Sequence, residues 1–172
     1  MEKKPISHFV VGLIIGLVLV ATFLIFYFTG RSFEKDALSY IPSLLFVIIL
    51  IFSIVQYSKA NNHNVTFGSC FSYGFKATAI AALIMALFMF IFLYTFPDYK
   101  EQFVAFMTEE LEKSEAVDDE QKEKTVEMMA GFFTISAIGG SLIANIIVGA
   151  IASLIGAAVA KKNPQAPFNQ AG

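Results

Sequence analysis

The side chains in this sequence that carry reactive chemistry stand too far apart to form a site. His8 and His63 are distant from each other, and the single cysteine, Cys70, lies at no ligand spacing from either. Metal centres need clustered His, Cys or carboxylate ligands, and one cysteine excludes an intramolecular disulfide. A catalytic nucleophile needs a base poised beside it. The sequence holds no Gly-x-Ser-x-Gly, His-Glu-x-x-His or P-loop motif. Asp118-Asp119-Glu120 lacks the alternation and the glycine of a calcium loop. The expectation is therefore a non-enzyme with no catalytic, cofactor or metal residues.

A different chemistry, helix packing, does have its spacing. Ser141, Asn145, Gly149, Ser153 and Ala157 recur every four residues, and Gly140, Ala144, Ala152, Gly156 and Ala160 fall on a neighbouring strip. Thirteen of the 24 residues from Ala137 to Ala160 are Gly, Ala or Ser. Small residues at this interval let helix backbones approach closely. Gly12 and Gly16 offer a mating surface on an earlier helix. Asn145 is the one strongly polar side chain near a span centre. It reads as an interhelical hydrogen-bonding residue or, alternatively, as the lining of a solute path.

The elements that must position these residues follow from composition. The chain has 172 residues, 56% of them apolar and only 15% charged, with a mean hydropathy of +0.67. Soluble domains carry roughly 25% charge. Eleven of the 14 acidic residues lie between Asp98 and Glu127, so the remainder is almost uncharged. A net charge of −2 leaves no footprint for nucleic acid. Four apolar stretches meet the roughly 20 residues that a bilayer core requires: about 8–28, 40–57, 74–96 and 132–160. The runs do not alternate, so they are helices and not barrel strands. All six tyrosines fall near the ends of these spans, where aromatic rings with a polar tip favour the headgroup level. The apolar run after His8 is too long for a secretory leader, lacks a small-x-small site after it, and reads as an uncleaved anchor.

Lysine and arginine counts tie between the two sides, but Lys3, Lys4, Lys76, Lys161 and Lys162 abut span ends, whereas most of the opposite set lies within an acidic loop. The rule counts bases near span ends, which places both termini in the cytoplasm. Residues 97–131 then form a periplasmic helical hairpin. Phe103, Phe106, Met107 and Leu111 make one apolar stripe, and Val126, Met129, Ala130 and Phe133 make another. Asp118 with Gln121 has the form of a capping box. Glu109–Lys113, Asp118–Lys122 and Glu120–Lys124 are acid-first pairs, and Ser114–Val117 is the expected tip.

The segment from Asn64 to Phe75, with Thr66-Phe67-Gly68 and a later Gly74-Phe75, resembles the signature of the bacterial family called domain of unknown function 4199. The closing Ile151-Ala152-Ser153-Leu154-Ile155-Gly156-Ala157-Ala158 and the pair Lys161-Lys162 match it too. The resemblance covers nearly the whole chain. It implies a four-span membrane protein of Gram-negative bacteria and supplies no activity, cofactor or catalytic residue. The expected architecture is thus an all-α membrane protein, a single four-span domain in the bacterial inner membrane. Its expected role is structural or protein-interacting, with a homo-oligomer or a membrane-protein partner in the lipid bilayer. The alternative is a component of a small-solute transporter or channel.

Overall fold

The computed structural model describes residues 5–113 and 118–163; the expected tip, Ser114–Val117, lies outside them, as do Lys3 and Lys4. Five α-helices follow one another: α1 His8–Phe28, α2 Ile41–Ala60, α3 Phe67–Thr95, α4 Asp98–Glu112 and α5 Asp119–Val159. A 3₁₀ turn, Ala37–Tyr40, leads into α2. No strand occurs among the described residues.

Each boundary has a local cause. Ser7 caps α1 by accepting the Val10 N–H, and Pro42 sits in the first turn of α2, where its missing N–H is not needed. Helix α3 begins seven residues before the apolar run that marks it in the sequence. Thr66 and Ser69 form a reciprocal capping box there, which carries helix through the mixed segment Phe67–Tyr73. Between Phe96 and Asp98 the chain turns at Pro97, the N-cap of α4. Asp118 caps α5 through the Glu120 N–H, one residue short of the Gln121 partner expected. From there α5 runs unbroken for 41 residues. At 1.5 Å per residue it is about 62 Å long, twice the hydrocarbon thickness, so one end must project.

Helix α3 is the hub. It packs along α5 and against α1, while α2 packs on α5 and touches both α1 and α3. Around this bundle Leu17, Ile48, Phe52, Leu87, Phe90 and Ile147 are each more than half exposed. Such a belt would be expelled by water and is accepted by lipid. Four helices are long and apolar enough to cross a bilayer, and the protein is an all-α, multi-pass membrane protein.

The two ends are closed differently. At the end holding the termini, buried Ser58 donates its hydroxyl to the Lys161 carbonyl, and the Asn163 N–H donates to the His63 carbonyl at 2.7 Å. The α2–α3 turn reaches this position through two left-handed residues, Asn62 (φ 53°) and His63 (φ 62°), types that tolerate that region. Tyr73 donates to the Ile6 carbonyl at 2.8 Å, and Lys162 donates to the Ala158 and Ala160 carbonyls, capping α5.

The opposite end is aromatic. Phe92, Tyr99 and Phe133 are buried together, ringed by Phe23, Tyr27 and Phe103. Tyr27 donates to Asp98 Oδ2 at 2.8 Å. The α1–α2 loop is held onto α4 by Phe33, stacked on Tyr99 at 5.2 Å and on Phe106 at 5.4 Å, and by the Lys35–Glu110 ion pair. Hydrogen bonds from Lys35, then from Lys113, hold the Glu110 carboxyl below its ordinary 4.5. A carboxyl depressed in the folded state contributes its stabilisation above the unperturbed value and loses it as pH falls below. A spin-label distance between Ser32 on the loop and Gln102 on α4 is therefore expected to stay constant from neutral pH down to about 4.5 and to broaden below it. In Glu110→Gln the same distance is broad and independent of pH. An acid-induced broadening that survives in Glu110→Gln would assign the loop's attachment to other groups.

Candidate functional site

The small-residue strip of α5 divides into two halves with different surroundings. Nearer the termini, it is sealed against α3. A Cβ added at Gly149 would collide with Thr78 Cγ2 and Oγ1, and a Cβ added at Gly74 would lie 2.7 Å from Ser153 Oγ. Each helix thus offers a glycine to the hydroxyl side chain of the other, in antiparallel register. Thr78 and Ser153 are fully buried, and neither hydroxyl has a hydrogen-bond partner among the described residues. The glycine hydrogen that stands in place of Cβ points at the hydroxyl, the arrangement of a Cα–H···O contact, worth about 0.5–1 kcal/mol. By contrast Thr22, Thr95 and Thr108 fold their hydroxyls back onto the carbonyl four residues earlier.

Neighbouring helices key into the same seam. Fully buried Ile54 of α2 projects between Gly74 and Gly156, with its Cδ1 2.6 Å from a Cβ added at either. Gly12 and Gly16 mate with α3 and not with α5. A Cβ at Gly12 would lie 2.6 Å from the Ala77 carbonyl, and one at Gly16 would lie 2.9 Å from Ile84. Of the residues singled out in the sequence, Gly149 and Ser153 therefore meet in one interface, and Gly12 and Gly16 line another. Thr78 and Ile54 were not anticipated. Gly74-x-x-x-Thr78 repeats the spacing of Gly149-x-x-x-Ser153, which is the signal that could have found the pair.

The other half of the strip is open. Ser141 donates to the Ile138 carbonyl at 2.9 Å, and Asn145 Nδ2 donates to the Ser141 carbonyl at 2.7 Å. Among the described residues Asn145 makes no interhelical bond, and a cavity lies between it and α1. This cavity, of about 260 Å³, is walled by Leu19, Phe23, Met85 and Val148 and carries Asn145, Arg31 and Ser43 as polar lining. Arg31 is already paired with Glu34 and Asp36. At roughly 30 Å³ per water the space holds on the order of eight waters, less than the 300 Å³ or so at which drug-sized ligand sites begin. No group of three or more His, Cys, Asp or Glu side chains is placed to hold a metal among the described residues.

Gly149→Ala is expected to lower stability in detergent by about 1–3 kcal/mol, the cost of overpacking a filled interface. Adding Thr78→Ala, which removes the two closest atoms, should recover part of the loss. Gly140→Ala, where nothing lies within 4 Å, should be neutral or stabilising by up to about 1 kcal/mol. Denaturation of the purified protein by titrated SDS checks all three, and equal losses at Gly149 and Gly140 would refute the division of the strip.

The model of the family described as "Protein of unknown function (DUF4199)" matches residues 11–162. No curated protein and no solved structure matches the chain. The matched region begins in the first turn of α1 and ends at Lys162, the residue that caps α5, so it takes in both the glycine seam and the hairpin. The chain belongs to the DUF4199 family.

Proposed function

We propose that this protein is a non-enzymatic structural or interaction component of a bacterial inner membrane, with its termini in the cytoplasm and its α4–α5 hairpin in the periplasm. The observation that supports this reading is the fixed attitude of the hairpin. Phe33, the Lys35–Glu110 pair and the Tyr27–Asp98 hydrogen bond hold α4 against the bundle. Between α4 and α5 lies a groove of about 660 Å³ with Val104, Leu111 and Val126 on its floor and Glu112, Glu123 and Glu127 at its rim. A surface held this firmly suits recognition, since little ordering remains to be done on binding. The placement of the termini is supported by Lys59, Lys76, Lys161 and Lys162, which gather at that end. Gly149 and Ser153 are consumed inside the fold, so association through α5 has Ser136, Gly140 and Ala144 left, one exposed strip of small residues.

The second reading, a component of a solute transporter or channel, is favoured by the cavity at Asn145. On α5 the lining of that cavity ends at Val148, and the next residue, Gly149, packs against Thr78.

Two measurements separate the readings. Photo-reactive residues at Thr108 and Glu123 are expected to cross-link a protein partner in intact cells, and one at the lipid-facing Leu87 is not. Asn145→Cys, in a Cys70→Ser background, is expected to resist a water-soluble maleimide. Rapid labelling at 145 with no cross-link from the hairpin would overturn the interaction reading in favour of transport.

A further inference from the structure

A second cavity lies where α5 leaves the bilayer. It has a volume of about 370 Å³, and its walls are the rings of Phe33, Phe103 and Phe133 with Met89 and Met129. Tyr99 and Ser136 supply the polar lining, and among the described residues no charged side chain takes part. Tyr99 is only 7% exposed, yet its hydroxyl has no hydrogen-bond partner among the described residues. Tyr27, at the same end, donates to Asp98, and Tyr73, at the opposite end, donates to the Ile6 carbonyl. The Tyr99 ring is buried while its hydroxyl stays open, since it is not among the buried atoms that lack a partner, and it is a donor available to an acceptor in the cavity it lines. Burial pushes the Tyr99 phenol up to about 12, so it remains a donor throughout the physiological range.

The walls restrict what could supply that acceptor. A cavity of about 150 Å³ admits a benzene, so this one has room for a body of two rings. Aromatic faces and two thioethers favour a flat, polarisable body, and an uncharged lining disfavours an ion. The size falls within the usual range for small-molecule sites, which pair apolar walls with a few placed polar groups. The Asn145 cavity, by comparison, is smaller and bordered by Arg31.

We infer that this cavity is a binding site for a neutral, membrane-soluble molecule with a flat apolar body of about two rings and a carbonyl or similar acceptor for the Tyr99 hydroxyl. The site is built from three parts of the chain: the loop residue Phe33, α4 through Tyr99 and Phe103, and α5 through Phe133 and Ser136. Filling it would therefore brace the hairpin against the bundle. The cavity shares Phe33 and Tyr99 with the contacts that hold the hairpin, but it is separate from the groove between α4 and α5 that the interaction reading concerns.

The test uses the purified full chain in detergent with 6-propionyl-2-(dimethylamino)naphthalene, a neutral two-ring ketone whose emission reports hydrogen bonding at its carbonyl. The chain contains no tryptophan, so the dye's spectrum is read without overlap from indole. A saturable component is expected above the micelle background. Tyr99→Phe keeps the ring, removes the donor, and is expected to weaken binding about 3- to 10-fold, the size of one neutral hydrogen bond. Ala137→Phe fills the cavity and should abolish the saturable component, whereas Asn145→Ala should leave it unchanged. Emission that follows detergent alone, or Tyr99→Phe binding as tightly as the natural chain, overturns the inference. Tyr99→Phe decides the matter even if Ala137→Phe does not fold.

Discussion

Lipid tails are as apolar as leucine, so membrane helices gain little from burying apolar surface against one another and must associate through close contact. In this protein that contact is the seam between α3 and α5, where Thr78 sits over Gly149 and Ser153 over Gly74. The rest of the bundle is arranged around it. Ile54 of α2 inserts between Gly74 and Gly156, and α1 lays Gly12 and Gly16 onto a different face of α3. Removing the Cβ at five points brings three helices onto α3 or α5 at distances that any other residue would prevent.

The seam also explains an apparent extravagance. A buried hydroxyl without a partner costs about 1–3 kcal/mol, and a threonine in a helix can avoid that by bonding its own backbone, as Thr22 and Thr95 do. Thr78 and Ser153 forgo that bond. What they gain is shape: a side chain short enough to enter a glycine notch, with an oxygen facing the glycine hydrogen. Two weak Cα–H···O contacts and tight dispersion packing offset the unmade hydrogen bonds.

From the seam outward the protein is asymmetric. Toward the termini it is sealed by hydrogen bonds to backbone carbonyls, from the side chains of Ser58 and Lys162 and from the Asn163 N–H. Toward the hairpin the space between the helices is partly filled by aromatic rings and partly left as cavities, one beside Asn145 and one beside Tyr99. Large planar side chains leave irregular gaps between them. The hairpin and the α1–α2 loop close over these gaps as one unit through Phe33 and the Lys35–Glu110 pair. These cavities therefore lie at the hairpin end, while the terminal end is closed by hydrogen bonds.

Helix α1 was legible from end to end, His8 to Phe28, because an uncharged run is bounded there by Ser7 and by Thr29-Gly30. The start of α3 was not, because its first two turns are helical by virtue of a cap at Thr66 and not by apolar content. The pairs Glu109–Lys113 and Glu120–Lys124 form as their spacing indicates, since both partners sit on one helix. The destination of Asn145, and the choice of α3 over α5 as the partner of Gly12 and Gly16, could not be read in one dimension. By itself the sequence determined how many helices are long and apolar enough to cross a bilayer, and which acidic segment joins the third to the fourth. Unsatisfied peptide groups are so costly in lipid that any long apolar run must be helical. Which faces meet was decided only in the tertiary structure, because every face of these helices is apolar enough for lipid, and the choice rests on where a glycine of one helix falls opposite a hydroxyl of another.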